Sequence, residues 1–295
     1  MSFSFLKMHG LGNDFVIIDQ RVEALDVAGH AAYLADRRRG IGCDQVIVLN
    51  TPKKGEESEG VDIAVSFYNH DGSPAAACGN GTRCIADLIM AEQNLSRVRI
   101  QTDSGLLTAQ RTQDGQIEVD MGRPTFGAAV MGWTGAHEGD QAIITSQGAL
   151  HDEDTDFARA WMVSMGNPHL VFFGNQRDDF PAFGARIGAL AELTDGANIG
   201  LATILDPGQL RLRVYERGAG ITLACGTGAC AAAAMAMTHY HAARTVRVHV
   251  DGGELVIRWP STQATMTMTG PVFYVYRGQW HGTSHSINHL NPKKT

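Results

Sequence analysis

Ala77-Cys78-Gly79-Asn80-Gly81-Thr82-Arg83-Cys84 returns, altered, as Ala224-Cys225-Gly226-Thr227-Gly228-Ala229-Cys230-Ala231, 147 positions further along a chain of 295 residues. Both copies read Ala-Cys-Gly-x-Gly, and both run straight into an apolar stretch of helical character. Repetition at half the chain length predicts an internal duplication, each half carrying one thiol at the mouth of a helix. The positive end of a helix lowers a cysteine pKa and attracts a carboxylate beside it. Two such thiols facing one small acid could remove a proton from one side of a carbon and return one to the other. A single copy would read as a small hydrophobe at a tight turn. A phosphate cradle needs GxGxxG or GxxxxGK[ST], and the sequence has neither. Repetition favours the acid/base pair. The spacing of Cys78 to Cys84 and of Cys225 to Cys230 lies outside that of zinc sites, so no metal is expected, and Cys43, Cys84 and Cys230 read as buried and inert.

Outward from these motifs, the first half reads as strands around a few helices. Met1 to Met8 alternates like a strand, Asp14 to Asp19 reads as a buried strand, and Cys43 to Leu49 as an inner one. Val27 to Arg39 has helical spacing, with Arg37-Arg38-Arg39 as solvated charge at its C-terminus before Gly40. Lys53 to Gly60 reads as a surface loop, Val61 to Tyr68 as a strand, and Asn69 to Pro74 as a turn. Ile85, Leu88, Ile89 and Glu92 mark the helix after the first motif. Leu106 to Thr112 and Gln116 to Met121 form a hairpin through Asp114-Gly115. The second half follows the same plan, with strands near Trp161 to Met165, Leu170 to Phe173 and Leu210 to Glu216, then a helix apolar on nearly every face, then a hairpin through Asp251-Gly252-Gly253. Gly122-Arg123-Pro124 is the expected crossover. This gives two domains, 1–121 joined by 271–295, and 122–270, with residues 281–295 as a loose polar tail.

Composition narrows the function. Hydrophobic residues at 44% and charged residues at 19% indicate a soluble globular protein. A net charge of −7 with no basic, aromatic-interleaved stripe argues against nucleic acid as a partner. No stretch approaches the ~18 apolar residues of a membrane span, and the N-terminus does not resemble a signal peptide. Five cysteines, an odd number, then suggest reduced thiols in the cytoplasm. Asn13, Gln45, Asn69 and Asn167 all sit in Gly- or Pro-containing contexts. Singly, each fits turn chemistry; together they suit a pocket that hydrogen-bonds ammonium and carboxylate groups. Arg217 reads either as an exposed ion pair with Glu216 or as a fork for a carboxylate.

Asn69-x-Asp71-Gly72-Ser73-(four residues)-Cys78-Gly79-Asn80-Gly81-x-Arg83-Cys84 resembles the signature of the diaminopimelate epimerase family. His9-Gly10-Leu11-Gly12-Asn13-Asp14-Phe15, Gly40-Ile41-Gly42-x-Asp44-Gln45, Gly166-Asn167-Pro168-His169, Tyr215-Glu216-Arg217-Gly218 and Ala224-Cys225-Gly226-Thr227-Gly228 follow in family order. The resemblance covers roughly residues 3 to 278. It implies an α+β fold of two similar domains, each a curled, mostly antiparallel sheet around a central helix, with the site in the cleft between. It implies interconversion of LL- and meso-diaminopimelate, a small-molecule substrate, without pyridoxal phosphate, metal or other cofactor, on the route to lysine and peptidoglycan. By the same resemblance Cys78 and Cys225 are the acid/base thiols, and Gly79, Asn80, Gly226 and Thr227 cradle the reacting carboxylate. Asn13, Gln45, Asn69, Asn167, Asn198, Glu216 and Arg217 hold the rest of the substrate, while His169 and Glu216 tune the thiols. A homodimer is expected. Another cofactor-independent amino-acid racemase of the same fold is the alternative activity. Cys43, the run from Pro74 to Ala77, Ile221 in place of a usual glutamate and the long tail depart from the family pattern, and Ile221 is the departure expected to alter the pocket wall or shift the thiol electrostatics.

Overall fold

The protein is described by a computed structural model covering residues 2–23, 25–52, 60–75, 78–145, 150 and 157–282. The loop expected at Lys53 to Gly60 and the tail expected at 281–295 fall almost wholly outside those residues. The chain forms two compact units, Met1–Val119 with Pro271–Thr295, and Asp120–Gly270.

The first unit runs β1 (Ser2–Gly10), β2 (Asn13–Asp19), α1 (Ala31–Ala35), β3 (Gln45–Asn50), β4 (Ile63–Asn69), α2 (Gly79–Gln93), β5 (Arg97–Thr102) and β6 (Gly105–Arg111). Pairings alternate: β1–β2 antiparallel, β2–β3 parallel, β3–β4 antiparallel, β4–β5 parallel and β5–β6 antiparallel. Each parallel pair needs a crossover, and α1 and α2 supply the two. The second unit runs β7 (Arg159–Ser164), β8 (Pro168–Phe173), α3 (Phe180–Gly188), β9 (Asn198–Asp206), β10 (Gln209–Glu216), α4 (Gly226–His239), β11 (Thr245–Val250) and β12 (Gly253–Arg258). Its strands pair in the same alternating order. The α+β class and the duplication expected from the sequence therefore hold.

The apolar runs explain the layering. Phe15 to Ile18 and Val46 to Leu49 are buried throughout, as inner parallel strands covered on both faces must be. Val16, Ile18, Val46 and Val48 pack with Ala31 and Leu34 of α1. The alternate residues Phe15 and Ile47, with Phe67 of β4, meet α2 at Gly81. In the second unit α4 is buried from Ala229 to Met237 on every face. Alanine supports that helix intrinsically and lets strands approach it closely. Phe172, Phe180, Phe183, Ile187, Ile199 and Leu201 form the core on the α3 side, with Ile221 packed against it. Ile221 thus serves as an apolar residue of that core, opposite Tyr215 in the strand register.

The helix expected from Val27 to Arg39 is much shorter, ending at Ala35. Asp36 is extended, and its carboxylate takes the backbone N–H groups of Arg38 and Arg39 at 2.8 and 2.9 Å. That side-chain turn competes with helix continuation. The arginines are accordingly not a helix terminus: Arg39 binds Asp36, and Arg37 forks onto Asp14 and Asp44. Helix α3 and strand β9 were not legible in the sequence pattern. Neither was Phe273–His281, which pairs with β1 on the side away from β2.

A methyl group at Gly81 would lie 2.9 Å from Phe67, 3.0 Å from Ile47 and 3.4 Å from Phe15, all ordered core side chains. Gly81→Ala should therefore destabilise the protein by about 1–3 kcal/mol. A chemical denaturation midpoint equal to the parent's would contradict this packing.

Candidate active site

Both cysteines hold the same place in their unit. Cys78 precedes α2 with φ −139° and ψ 115°, and Cys225 precedes α4 with φ −120° and ψ 108°. Each is an extended N-cap whose carbonyl already accepts a helical bond, from Thr82 at 2.7 Å and from Ala229 at 2.9 Å. The amides of the following residues have no partner within their helix, so each thiol stands beside a ready anion site. Gly79 and Asn80 lie there in the first unit, Gly226 and Thr227 in the second.

In the first unit Cys78 Sγ lies 3.6 Å from Asn13 Oδ1, which also accepts from Asn80 Nδ2 at 3.3 Å. Asn13 Nδ2 donates to Asp44 Oδ2 at 2.9 Å. Gln45 and Asn69 face each other in the β3–β4 register, and Gln45 Nε2 donates to Asn69 Oδ1 at 2.9 Å. Asn69 Nδ2 passes on to Ser73 Oγ at 3.0 Å. Gln45 Oε1 is left buried with no hydrogen-bond partner among the described residues. The structure thus gathers Asn13 and Asn80 at Cys78, and joins Gln45 and Asn69 as a separate pair.

In the second unit Asn167 Nδ2 donates to Thr227 Oγ1 at 3.3 Å, and Thr227 Oγ1 lies 3.6 Å from Cys225 Sγ. His169 Nε2 is 3.1 Å from Asn167 Oδ1. Because the Asn167 amide gives its NH₂ to Thr227, its oxygen faces the imidazole, which must carry its proton on Nε2. The hydroxyl of Thr227, having accepted from Asn167, is free to donate to sulfur. The chain His169–Asn167–Thr227 therefore points its hydrogens at Cys225. Burial pushes the Cys225 thiol well above its ordinary pKa, and the Glu216 carboxylate beside it adds to this. Thr227 and the Gly228 N–H act the other way. Thr222 Oγ1 donates to Glu216 Oε1 and holds that carboxylate in place. Asn198 Oδ1 takes the backbone N–H of Arg217 at 3.0 Å, and the exposed Arg217 side chain donates to the Asp195 carbonyl.

Of the remaining thiols, Cys43 and Cys84 are buried and pushed up to about 12 by burial, as inert core residues should be. Sequence reasoning gave no role to Asp44 or Thr222. Asp44 stood within a quoted motif, and nothing in the pattern around Thr222 marks it.

The sequence model of the family described as "Diaminopimelate epimerase" matches residues 5–127 and 161–275. The chain belongs to the diaminopimelate epimerase family. It is 44% identical over 283 residues to the diaminopimelate epimerase of Gluconobacter oxydans, covering 94% of this chain and 99% of that protein. With the enzyme of the same name from Xanthomonas axonopodis pv. citri it shares 41% over 285 residues, covering 94% and 96%. Among solved structures, a hydroxyproline epimerase from Agrobacterium vitis, with trans-4-hydroxy-L-proline bound, superposes with a TM-score of 0.63 at 14% identity, covering 94% of this chain and 92% of that one. At that identity the likeness is one of fold. Membership of the family makes the chain an isomerase acting on a small molecule. No helix among the described residues is long and apolar enough to cross a membrane.

His169 carries a pH signature. Complete burial lowers its pKa from the ordinary 6.5 to about 3, so the folded protein keeps it neutral where the unfolded chain takes up a proton. Stability from this group is full above the unfolded value and is lost as pH falls towards the folded one. The unfolding free energy should fall by about 1.4 kcal/mol per pH unit across that window. His169→Gln should remove this part of the slope. Identical pH–stability curves for parent and variant would refute the buried, neutral assignment.

Proposed function

We propose that this protein interconverts LL- and meso-diaminopimelate without a cofactor, using Cys78 and Cys225 as the acid/base pair. The observation that carries the reading is the duplicated extended cysteine at a helix N-terminus, one per unit, in a chain of this family. One cysteine, as thiolate, takes the α-proton, and the thiol of the other returns a proton to the opposite face of the planar carbanion. The products are the inverted centre and a pair of thiols with their protonation exchanged. A free thiol is only a few per cent ionised near neutrality, so each needs help. Glu216, hydrogen-bonded to the Cys225 thiol, is placed to take that proton, and Thr227 and Gly228 then favour the thiolate left behind. His169 acts on the same sulfur through Asn167 and Thr227.

The helix-start amides at Gly79 and Asn80 and at Gly226 and Thr227 hold the reacting carboxylate and stabilise charge as it spreads onto it. Asn13, Gln45, Asn69, Asn167, Asn198, Glu216 and Arg217 take the distal ammonium and carboxylate. The buried, unpartnered Gln45 Oε1 suits a ligand N–H. We further propose domains spanning 1–121 with 271–295 and 122–270, a cytoplasmic location, and a homodimer. The side chains Phe273, Tyr274, Val275 and Tyr276, about half exposed along one strand, support the last of these. The product would feed lysine and peptidoglycan precursor synthesis.

Cys78→Ala and Cys225→Ala should each lower epimerisation by about 10²–10⁴-fold or more, since each removes one proton carrier. The decisive assay is deuterium incorporation from solvent into purified LL- and meso-diaminopimelate without added cofactor. Near-parental turnover in either variant would end the two-base reading.

Arg217 tests substrate choice. Its guanidinium is exposed and tied only at one edge in the described contacts. Arg217→Lys keeps the charge but loses the planar fork, so KM for diaminopimelate should rise about tenfold while the thermal midpoint stays put. An unchanged KM would point instead to a racemase of monocarboxylate amino acids.

A further inference from the structure

We infer that Asp44 is a positioning residue for Cys78, acting through the side-chain amide of Asn13. This rests on the reading of Cys78 as an acid/base thiol. The Asp44 carboxylate can only accept hydrogen bonds, so Asn13 must turn its NH₂ towards Oδ2, at 2.9 Å. The amide oxygen is thereby aimed at Cys78 Sγ, 3.6 Å away, with Asn80 Nδ2 donating to the same oxygen at 3.3 Å. An acceptor facing the sulfur favours the protonated thiol. Were the amide free to turn over, its NH₂ would face the sulfur and favour the thiolate instead.

Asp44 is itself immobilised. Its Oδ2 accepts the Asp14 N–H at 3.1 Å, its own N–H donates to Asp14 Oδ1 at 3.0 Å, and Arg37 bridges both carboxylates at 2.7 Å. Lys7, buried beneath, pairs with Asp14. Two carboxylates and two cations thus anchor one amide. In the second unit the corresponding chain runs the other way, from His169 through Asn167 to Thr227, whose hydroxyl lies beside Cys225 Sγ, with the Glu216 carboxylate as acceptor on the same thiol.

The test separates orientation from charge by alkylating the full-length enzyme with iodoacetamide at neutral pH and quantifying modified Cys78 by peptide mass. Asp44→Ala frees the amide and should speed Cys78 alkylation roughly fivefold, the size of one net hydrogen bond. Asp44→Asn loses the ion pair with Arg37 but keeps a carbonyl that can accept from Asn13, so it should restore near-parental reactivity. If Asp44→Ala does not fold, Asn13→Ala, which removes the acceptor facing the sulfur and leaves the Asp44 ion pairs in place, should also accelerate alkylation. Parental reactivity in Asp44→Ala or in Asn13→Ala, or equal acceleration in Asp44→Ala and Asp44→Asn, would overturn the inference. Because alkylation is read without turnover, an active Cys78→Ala would sink the acid/base reading while leaving this measurement to decide the role of Asp44.

Discussion

Much of this structure depends on the absence of a side chain at Gly81 and Gly228. Each glycine lies in the first turn of the helix that its unit wraps, and each is pressed onto a strand. A Cβ at Gly81 would meet Phe67, and one at Gly228 would lie 3.0 Å from Val214 and 3.3 Å from Cys225 Sγ. Phe67 and Val214 occupy matching positions on β4 and β10, the strands that lead into the two cysteines. Close approach there fixes the helix start against the sheet, and so places each thiol beside amides that have no partner within the helix.

From that shared frame the two half-sites diverge. Asn13 and Asn167 each follow a glycine with φ near +85° to +89°, and both reach the residue two places after their cysteine. In the first unit that residue is Asn80, and the NH₂ of Asn13 is taken by Asp44. In the second it is Thr227, whose hydroxyl can donate onward to sulfur, with neutral His169 behind it. A duplicated backbone thus carries two differently hydrogen-bonded thiol environments.

Two departures from the family pattern, Cys43 and Ile221, are absorbed by packing. Cys43 is buried at the end of the segment leading into β3, in the cluster around α1. Ile221 packs against the core beside Tyr215, and the carboxylate that raises the Cys225 pKa is that of Glu216.

The sequence by itself determined the duplication, the inner strands and the two helix-capping thiols. These are local properties: Cys-Gly-x-Gly can be read as a turn into a helix, and Phe15 to Ile18 or Val46 to Leu49 can only be buried on both faces. It overstated the helix before Gly40, because Asp36 could not be recognised as the residue that closes a competing turn. It passed over α3 and β9, whose apolar residues are specified by the core they fill and not by a clear period of their own. Tertiary structure alone decided what each polar side chain does. Asp44 governs Asn13 from 31 residues away, and Asn167 reaches Thr227 across 60. Hydrogen-bond direction depends on which partner each donor finally meets, and only the folded sheets bring those partners within reach.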